Sequence, residues 1–373
     1  MGPSGTSLDR LSIDMSDTMQ KPRLLFHLPA LTDGGAERTM ALIASELAEA
    51  GYPVRLVAER PAVNGPPVSS AVRVSALDAG HAGAIARLRR LLKQERPAVA
   101  VSAVAASPLK LTIAAAGMNI PLVHAVHGFH EHATGKLTAL TWRLWPLIAR
   151  RAAAVVAVSD ALRDELVANW KVPASKAQVF PNPVALPDPL PRVTAEELAA
   201  RRPAILAIGR LSGEKQFGLL LKALAAMRTR DATLTILGDG PQRDILRTMA
   251  ERLHIADRVT FAGFVDDVWP HLAAAKVLAV PSRTESFGLA AVEALAAGLP
   301  VAATRTPGLM EVMGEDPRLG RLVEITDHEG LAVALDDLLA DPGDPAPRQR
   351  RATAFSAAAG MARWRALIGR LAA

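Results

Sequence analysis

Seven residues separate the two glutamates of Glu285-Ser-Phe-Gly-Leu-Ala-Ala-Val-Glu293, and a cation pair lies upstream in Gly209-Arg210-Leu-Ser-Gly-Glu-Lys215. Arginine offers a planar fork of donors and lysine a compact charge, so a short loop holding both suits a diphosphate. Gly209 and Gly213 let the backbone approach such a ligand closely. Phe287-Gly288-Leu289 opens a helix after an apolar run. The free N–H groups of a helix start, together with its dipole, favour anions. Glu285 stands just before that start, where it can bind a sugar hydroxyl. Glu293 lies deeper on the same face, where a carboxylate can accept from both hydroxyls of a ribose. The plainer alternative makes Glu285 a charge favoured by the helix dipole, Glu293 a solvated helix residue and the cationic loop an ordinary surface turn.

Other clusters are less specific. Gly34-Gly35 follows the first apolar run and resembles a phosphate loop, but has neither G-x-G-x-x-G nor a P-loop lysine. Gly238-Asp239-Gly240-Pro241 reads as a strand-to-helix turn with Pro241 at the first helical position. His124, His127, His130 and His132 crowd one segment with Glu131. They lack a regular metal-ligand spacing, so a metal site is not expected. His127, followed by Gly128, is the histidine best placed to bond a sugar or phosphate oxygen, and His124 reads as a strand residue. Arg87–Lys93 and Lys136–Arg151, the latter with Trp142 and Trp145, are basic and amphipathic. They suit either the charged outer face of a crossover helix or an anionic membrane surface. No D-x-D pair occurs in the chain. Arg210 and Lys215 would therefore have to neutralise a leaving diphosphate without a metal held by such carboxylates.

Two series of apolar runs must position these residues. The first is Arg23–Leu28, Val54–Ala58, Val99–Ser102, Leu122–Val126 and Ala153–Val158. The second is Ala204–Ile208, Thr233–Leu237, Val259–Phe261, Val277–Val280 and Val301–Ala303. Nearly continuous Val, Ile, Leu and Ala marks strands buried on both faces. Helical patterns intervene, for example over Glu37–Ala50, Leu219–Met227 and Ala290–Ala297, so the fold class is doubly wound α/β. Prolines crowd 181–191, which places an interdomain linker at 181–202 between domains at 21–180 and 203–354. An Ala-rich helix over about 355–373 carries Trp364 and Leu367 on one face and can pack back on the first domain. Residues 1–20 are polar, without a secretory h-region, and read as a disordered leader with Met15 or Met19 as alternative starts.

Composition narrows the partners. The chain has 373 residues, a net charge of +6 and no cysteine. That fits two domains in a reducing compartment and excludes disulfides and thiolate metal sites. A basic balance favours an anionic partner. One tyrosine among few aromatics leaves little to stack bases on, which argues against nucleic acid. No apolar run reaches the ~20 residues of a membrane span. The expected location is cytoplasmic, with peripheral contact at the inner membrane face left open.

In this order, Gly34-Gly35-Ala36-Glu37-Arg38, Val158-Ser159, Pro181-Asn182-Pro183-Val184, Gly209-Arg210-Leu211 with Lys215, Leu237-Gly238-Asp239-Gly240-Pro241, Phe261-Ala-Gly-Phe264 and the glutamates 285 and 293 resemble retaining glycosyltransferases of family 4. The resemblance runs over nearly the whole chain from Lys21. It implies the GT-B fold, with two Rossmann-like domains facing across a cleft and a C-terminal helix crossing back. It implies a sugar moved with retention from a nucleotide diphosphate, a UDP-sugar being the first expectation, to an acceptor hydroxyl of a glycan or lipid-linked carrier. Arg210 and Lys215 would bind the diphosphate, Glu293 the ribose and Glu285 the sugar. Phe264 would flank the base through main chain. Gly35 and His127 would approach from the first domain. The donor is a substrate, and no cofactor is expected. Gln216 stands where members often have glycine. The Gly-Gly-Ala-Glu-Arg segment looks most like bacterial enzymes of surface polysaccharide synthesis. Two alternatives stay open: a nucleotide-sugar epimerase of the same fold, which would act on donor alone, and a binding protein without turnover.

Overall fold

The structure, a computed structural model, describes residues 21–32, 34–61, 65–130 and 135–373. The leader, Glu131 and His132 lie outside the described residues. The strands of the first half are β1 (Leu24–Leu28), β2 (Val54–Ala58), β3 (Arg73–Ala76), β4 (Val99–Ala103), β5 (Leu122–Val126), β6 (Ala154–Ala157) and β7 (Ala177–Val179). The second half contributes β8 (Ala204–Ile208), β9 (Thr233–Leu237), β10 (Val259–Gly263), β11 (Val277–Val280), β12 (Val301–Thr304) and β13 (Gly320–Val323). Among the described residues they form two parallel sheets, ordered β3-β2-β1-β4-β5-β6-β7 and β10-β9-β8-β11-β12-β13.

The strand order reverses direction between β1 and β4 in one sheet and between β8 and β11 in the other. In open α/β sheets such switch points leave a crevice at the carboxyl ends of the strands, where ligands bind. Gly34-Gly35 follows β1, Gly209–Lys215 follows β8, and Pro281–Gly288 follows β11. The sequence therefore delivers its chemistry-bearing loops to both switch points.

Three strands, β3, β7 and β13, are absent from the apolar series above. All three lie at sheet edges, and none is fully buried. The proline-rich segment also holds a helix, Ala195–Ala200. Thr194 and Glu197 close a capping box at its start, each side chain satisfying the other's backbone N–H. Pro241 precedes its helix rather than opening it, because that helix runs Arg243–Arg252.

The C-terminal helix Ala357–Ala372 buries Met361, Trp364, Leu367 and Ile368 in the core of the first domain, beside Leu24, Phe26 and Met40. Trp364 meets Phe180 edge to face at 5.5 Å. The basic stretch 87–93 lies within the helix His81–Glu95. There Arg89 donates to the carbonyls of Ala114 and Ala116, and Arg87 to those of Leu77 and Asp78. Trp142 and Trp145 are buried. No helix among the described residues is long and apolar enough to cross a membrane.

Candidate active site

The Arg210–Lys215 loop and the Glu285 loop are stitched together by backbone. Arg283 N donates to the Glu214 carbonyl at 2.8 Å. Lys215 Nζ then reaches Glu285 Oε2 at 2.6 Å, and Ser282 Oγ donates to the same oxygen at 3.3 Å. Gly308 N fixes the Glu285 carbonyl at 2.9 Å. Only glycine fits at 308, since a Cβ there would sit 2.3 Å from Phe287 N. Arg210 is exposed at the rim, and its guanidinium has no hydrogen-bond or ion-pair partner among the described residues. Lys215 and Glu285 are thus preset as a pair, and Arg210 is left available to an anion.

The helix Leu289–Ala296 starts at Gly288, whose φ of +105 favours glycine. Ala291, Val292, Ala294 and Leu295 anchor it in the core. Glu293 is only 5 % exposed, which overturns its reading as a solvated helix residue. Its Oε1 lies 3.4 Å from the Arg38 guanidinium, which comes from the first domain. Burial raises the Glu293 pKa, and the Arg38 charge opposes that shift. A buried carboxylate with one long ion pair has unused acceptor capacity, which two ligand hydroxyls can fill.

One cleft collects these groups. A cavity of about 360 Å³ is lined by Gly34, Gly35, Gly209, Arg210, Lys215 and Glu285, with Phe264, Gly288, Leu289 and Glu293. A second, of about 720 Å³, continues from Arg38, Phe264, Leu289 and Glu293 toward Pro66 and Pro183. Phe264 is 48 % exposed on this cleft. Gly238 explains the tightness of its floor: a Cβ there would sit 2.1 Å from the Gly209 carbonyl oxygen. Phe287 is the exception among the expected donor-binding residues. Its ring is 2 % exposed and packs edge to face on Phe355 at 5.4 Å. Its side chain holds the helix start in the core and does not line the cleft.

His127 enters from the other side. Its carbonyl accepts the Ser286 hydroxyl, so the β5 loop is tied to the residue after Glu285. Its ring nitrogens are covered and make no well-formed hydrogen bond, although the Asn182 side chain favours the charged ring. Desolvation dominates and lowers the pKa to about 4, so the imidazole is neutral at pH 7. The other described histidines of its segment, His124 and His130, diverge from it. His124 pairs with Ser102 Oγ at 2.8 Å inside the sheet, and His130 stacks near Trp142 and Trp170. No group of three His, Cys, Asp or Glu side chains placed to hold a metal occurs among the described residues.

Sequence reasoning gave Arg38 and Gly308 no role. Arg38 sits within the Gly-Gly-Ala-Glu-Arg segment, but its partner is 255 residues away. Pro307-Gly308 carries only an ordinary turn signal.

Two family models cover this architecture. "Glycosyltransferase Family 4" matches residues 33–186, and "Glycosyl transferases group 1" matches residues 194–356. The chain belongs to the family 4-type glycosyltransferases of the GT-B fold. This glycosyltransferase is 39 % identical over 142 residues to the lipopolysaccharide core biosynthesis glycosyltransferase LpsE of Rhizobium meliloti, covering 38 % of this chain and 41 % of the relative. It is 35 % identical over 185 residues to the GDP-mannose-dependent alpha-(1-6)-phosphatidylinositol monomannoside mannosyltransferase of Mycolicibacterium smegmatis, covering 46 % of each. The chain thus spans about half the length of the curated relatives it matches. Among solved structures, HepE of Anabaena in complex with UDP and glucose superposes with a TM-score of 0.79 at 21 % identity, over 94 % of this chain and 100 % of that one. Sucrose-phosphate synthase of Thermosynechococcus elongatus gives a TM-score of 0.81 at 21 % identity, over 94 % and 99 %. Both likenesses concern the fold.

Proposed function

We propose that this protein transfers a sugar from a nucleotide diphosphate, a UDP-sugar first, to an acceptor hydroxyl, with retention at the anomeric carbon. The observation that carries the reading is the gathering of Arg210, Lys215, Glu285 and Glu293 on one cleft at the carboxyl ends of two parallel sheets. In this reading the diphosphate lies between Arg210 and Lys215, the ribose on Glu293 and the transferred sugar near Glu285. The bond from the anomeric carbon to the diphosphate oxygen breaks as charge develops on that oxygen. Arg210 and Lys215 stabilise this charge in a partly water-excluded cleft. The acceptor oxygen bonds the anomeric carbon from the same face, and its proton passes to the departing phosphate oxygen. Glu285, already paired with Lys215, is not free to act as a nucleophile of the glycosidase type. The two cations take the part that a carboxylate-held metal plays elsewhere, so no metal or cofactor is required.

The product belongs to a cell-surface or lipid-linked glycan, a reading supported by the names of the relatives above. Lys136, Leu140, Arg143, Leu147 and Arg150 fall at spacings of three and four along two successive helices, all on exposed positions. Such a stripe suits peripheral contact with an anionic membrane from the cytoplasmic side.

The test is a donor screen by thermal shift that includes UDP- and GDP-sugars. Product analysis by mass spectrometry with a lipid-linked glycan acceptor follows. Stabilisation by one donor class and a sugar-sized mass gain on the acceptor are expected. No shift with any nucleotide-diphosphate sugar, or donor isomerised without acceptor, would overturn the reading.

A further inference from the structure

Lys215 lies between two residues that are both bound to the segment leading into Glu285. On one side the Glu214 carbonyl accepts from Arg283 N at 2.8 Å. On the other side is Gln216. With its amide oriented to suit both neighbours, its nitrogen donates to the Pro281 carbonyl at 3.1 Å and its oxygen accepts from Arg283 Nε at 3.3 Å. The strip 281–283 therefore holds the chain on each side of the lysine, and Glu285 holds the ammonium itself at 2.6 Å.

Gln216 stands at a joint. The short turn Gly213–Lys215 ends on it, and the helix Phe217–Ala226 begins after it. Phe217 is buried in the core of the second domain, whereas Lys215 lines the cleft. The chain turns sharply between them, and Gln216 takes the left-handed region at φ +47 and ψ +39. Glycine enters that region without strain, and a residue with a Cβ is disfavoured there. Asparagine tolerates it better than most side chains but is one methylene shorter. The Gln216 side chain does not cap the helix that follows. Its amide serves the bridge between loops instead, and such surrounding bonds are what hold a side chain in a strained backbone position.

We propose that Gln216 is a positioning residue, whose side-chain amide bridges the two loops and so fixes Lys215 where the donor diphosphate lies. The proposal rests on the reading of Lys215 as a diphosphate ligand. With glycine at this joint the turn is free of strain and the bridge is missing. The main-chain bond to Glu214 then holds the loop without help from residue 216, and ordering the lysine falls to the ligand, which costs affinity. The effect belongs to the diphosphate and not to the ribose. Glu293 sits on the separate helix Leu289–Ala296, which the core anchors through Ala291, Val292, Ala294 and Leu295.

Titration of the full chain with UDP and GDP by calorimetry, and with uridine and guanosine by ligand-observed NMR, tests this. Gln216→Gly and Gln216→Asn both accept the left-handed turn and both delete the bridge. Each should weaken binding of the nucleoside diphosphate that the wild type takes by roughly fivefold, the worth of one neutral hydrogen bond. The matching nucleoside should bind as it does to the wild type. In a Lys215→Ala background neither substitution should weaken the diphosphate further, because the amide acts through the lysine. Unchanged diphosphate binding in either variant, equal weakening of nucleoside and diphosphate, or the same loss in the absence of Lys215 overturns the proposal. A wild-type chain that binds neither diphosphate, or a Lys215→Ala chain that binds it as tightly as the wild type, refutes the diphosphate reading itself.

Discussion

Lys215 and Glu285 hold each other in the cleft, at 2.6 Å. Both are partly exposed, so the pair adds little to stability but fixes the lysine where a diphosphate would lie. Lys215→Ala should therefore cut turnover by about 10²–10³, the effect of one lost preorganised donor, with only a small change in melting temperature. Steady-state kinetics beside a thermal melt check this, and near-wild-type transfer would remove the lysine from the chemistry. The histidines make a prediction of the opposite kind. Burial lowers His124 to about 3 and His127 to about 4, from ordinary values near 6.5. Between those values the unfolded chain binds protons that the folded chain does not. Their contribution to stability is complete above about pH 6.5 and is lost as pH falls toward 4. Urea midpoints should drop between about pH 7.5 and pH 5, and the drop should shrink in His124→Gln if this linkage holds.

At the scale of elements, two loops approach as closely as backbone allows. The Gly238 turn after β9 sits against the Gly209 loop after β8, with no room for a Cβ, and its φ is +126. Gly238→Ala has to push the two loops apart, so it should weaken donor binding and lower the melting temperature together. Calorimetric titration of UDP and a thermal melt test that coupling; unchanged values in both would show that the loops yield freely. The helix start at Gly288 divides its labour differently. Phe287 anchors it in the core, and Gly288 and Leu289 face the cleft. Phe287→Ala should cost about 3–5 kcal/mol of stability, as large core truncations do. Donor affinity of the folded protein should hold within a fewfold, and its collapse in calorimetry would return the ring to the donor site.

At the scale of the molecule, several contacts join the halves. Glu311 accepts from Asp160 N at 2.8 Å, and Arg38 reaches Glu293 across the cleft. The chain also returns bodily to its first domain through Trp364 and its neighbours, with Arg363 donating to the Val179 carbonyl at 2.9 Å. Trp364→Ala should destabilise the first domain by about 3–5 kcal/mol. Denaturant unfolding followed by far-UV circular dichroism would measure it. A loss below 1 kcal/mol would mean that the helix rests on the sheet without supporting it.

The sequence by itself determined the doubly wound class, the central strands, the C-terminal helix and the loops that carry Arg210, Lys215, Glu285 and Glu293. These signals are local: continuous apolar runs, glycines at strand ends, and charges on turns. Edge strands β3, β7 and β13 were not legible, because a strand covered on one side needs no such run. The capping box at Thr194 was legible in principle, but the prolines before it masked the short helix. Only tertiary structure decided that Phe287 faces the core, that Glu293 is buried and that Arg38 is its partner. Each depends on residues from distant parts of the chain meeting in space, and neither periodicity nor composition encodes that meeting.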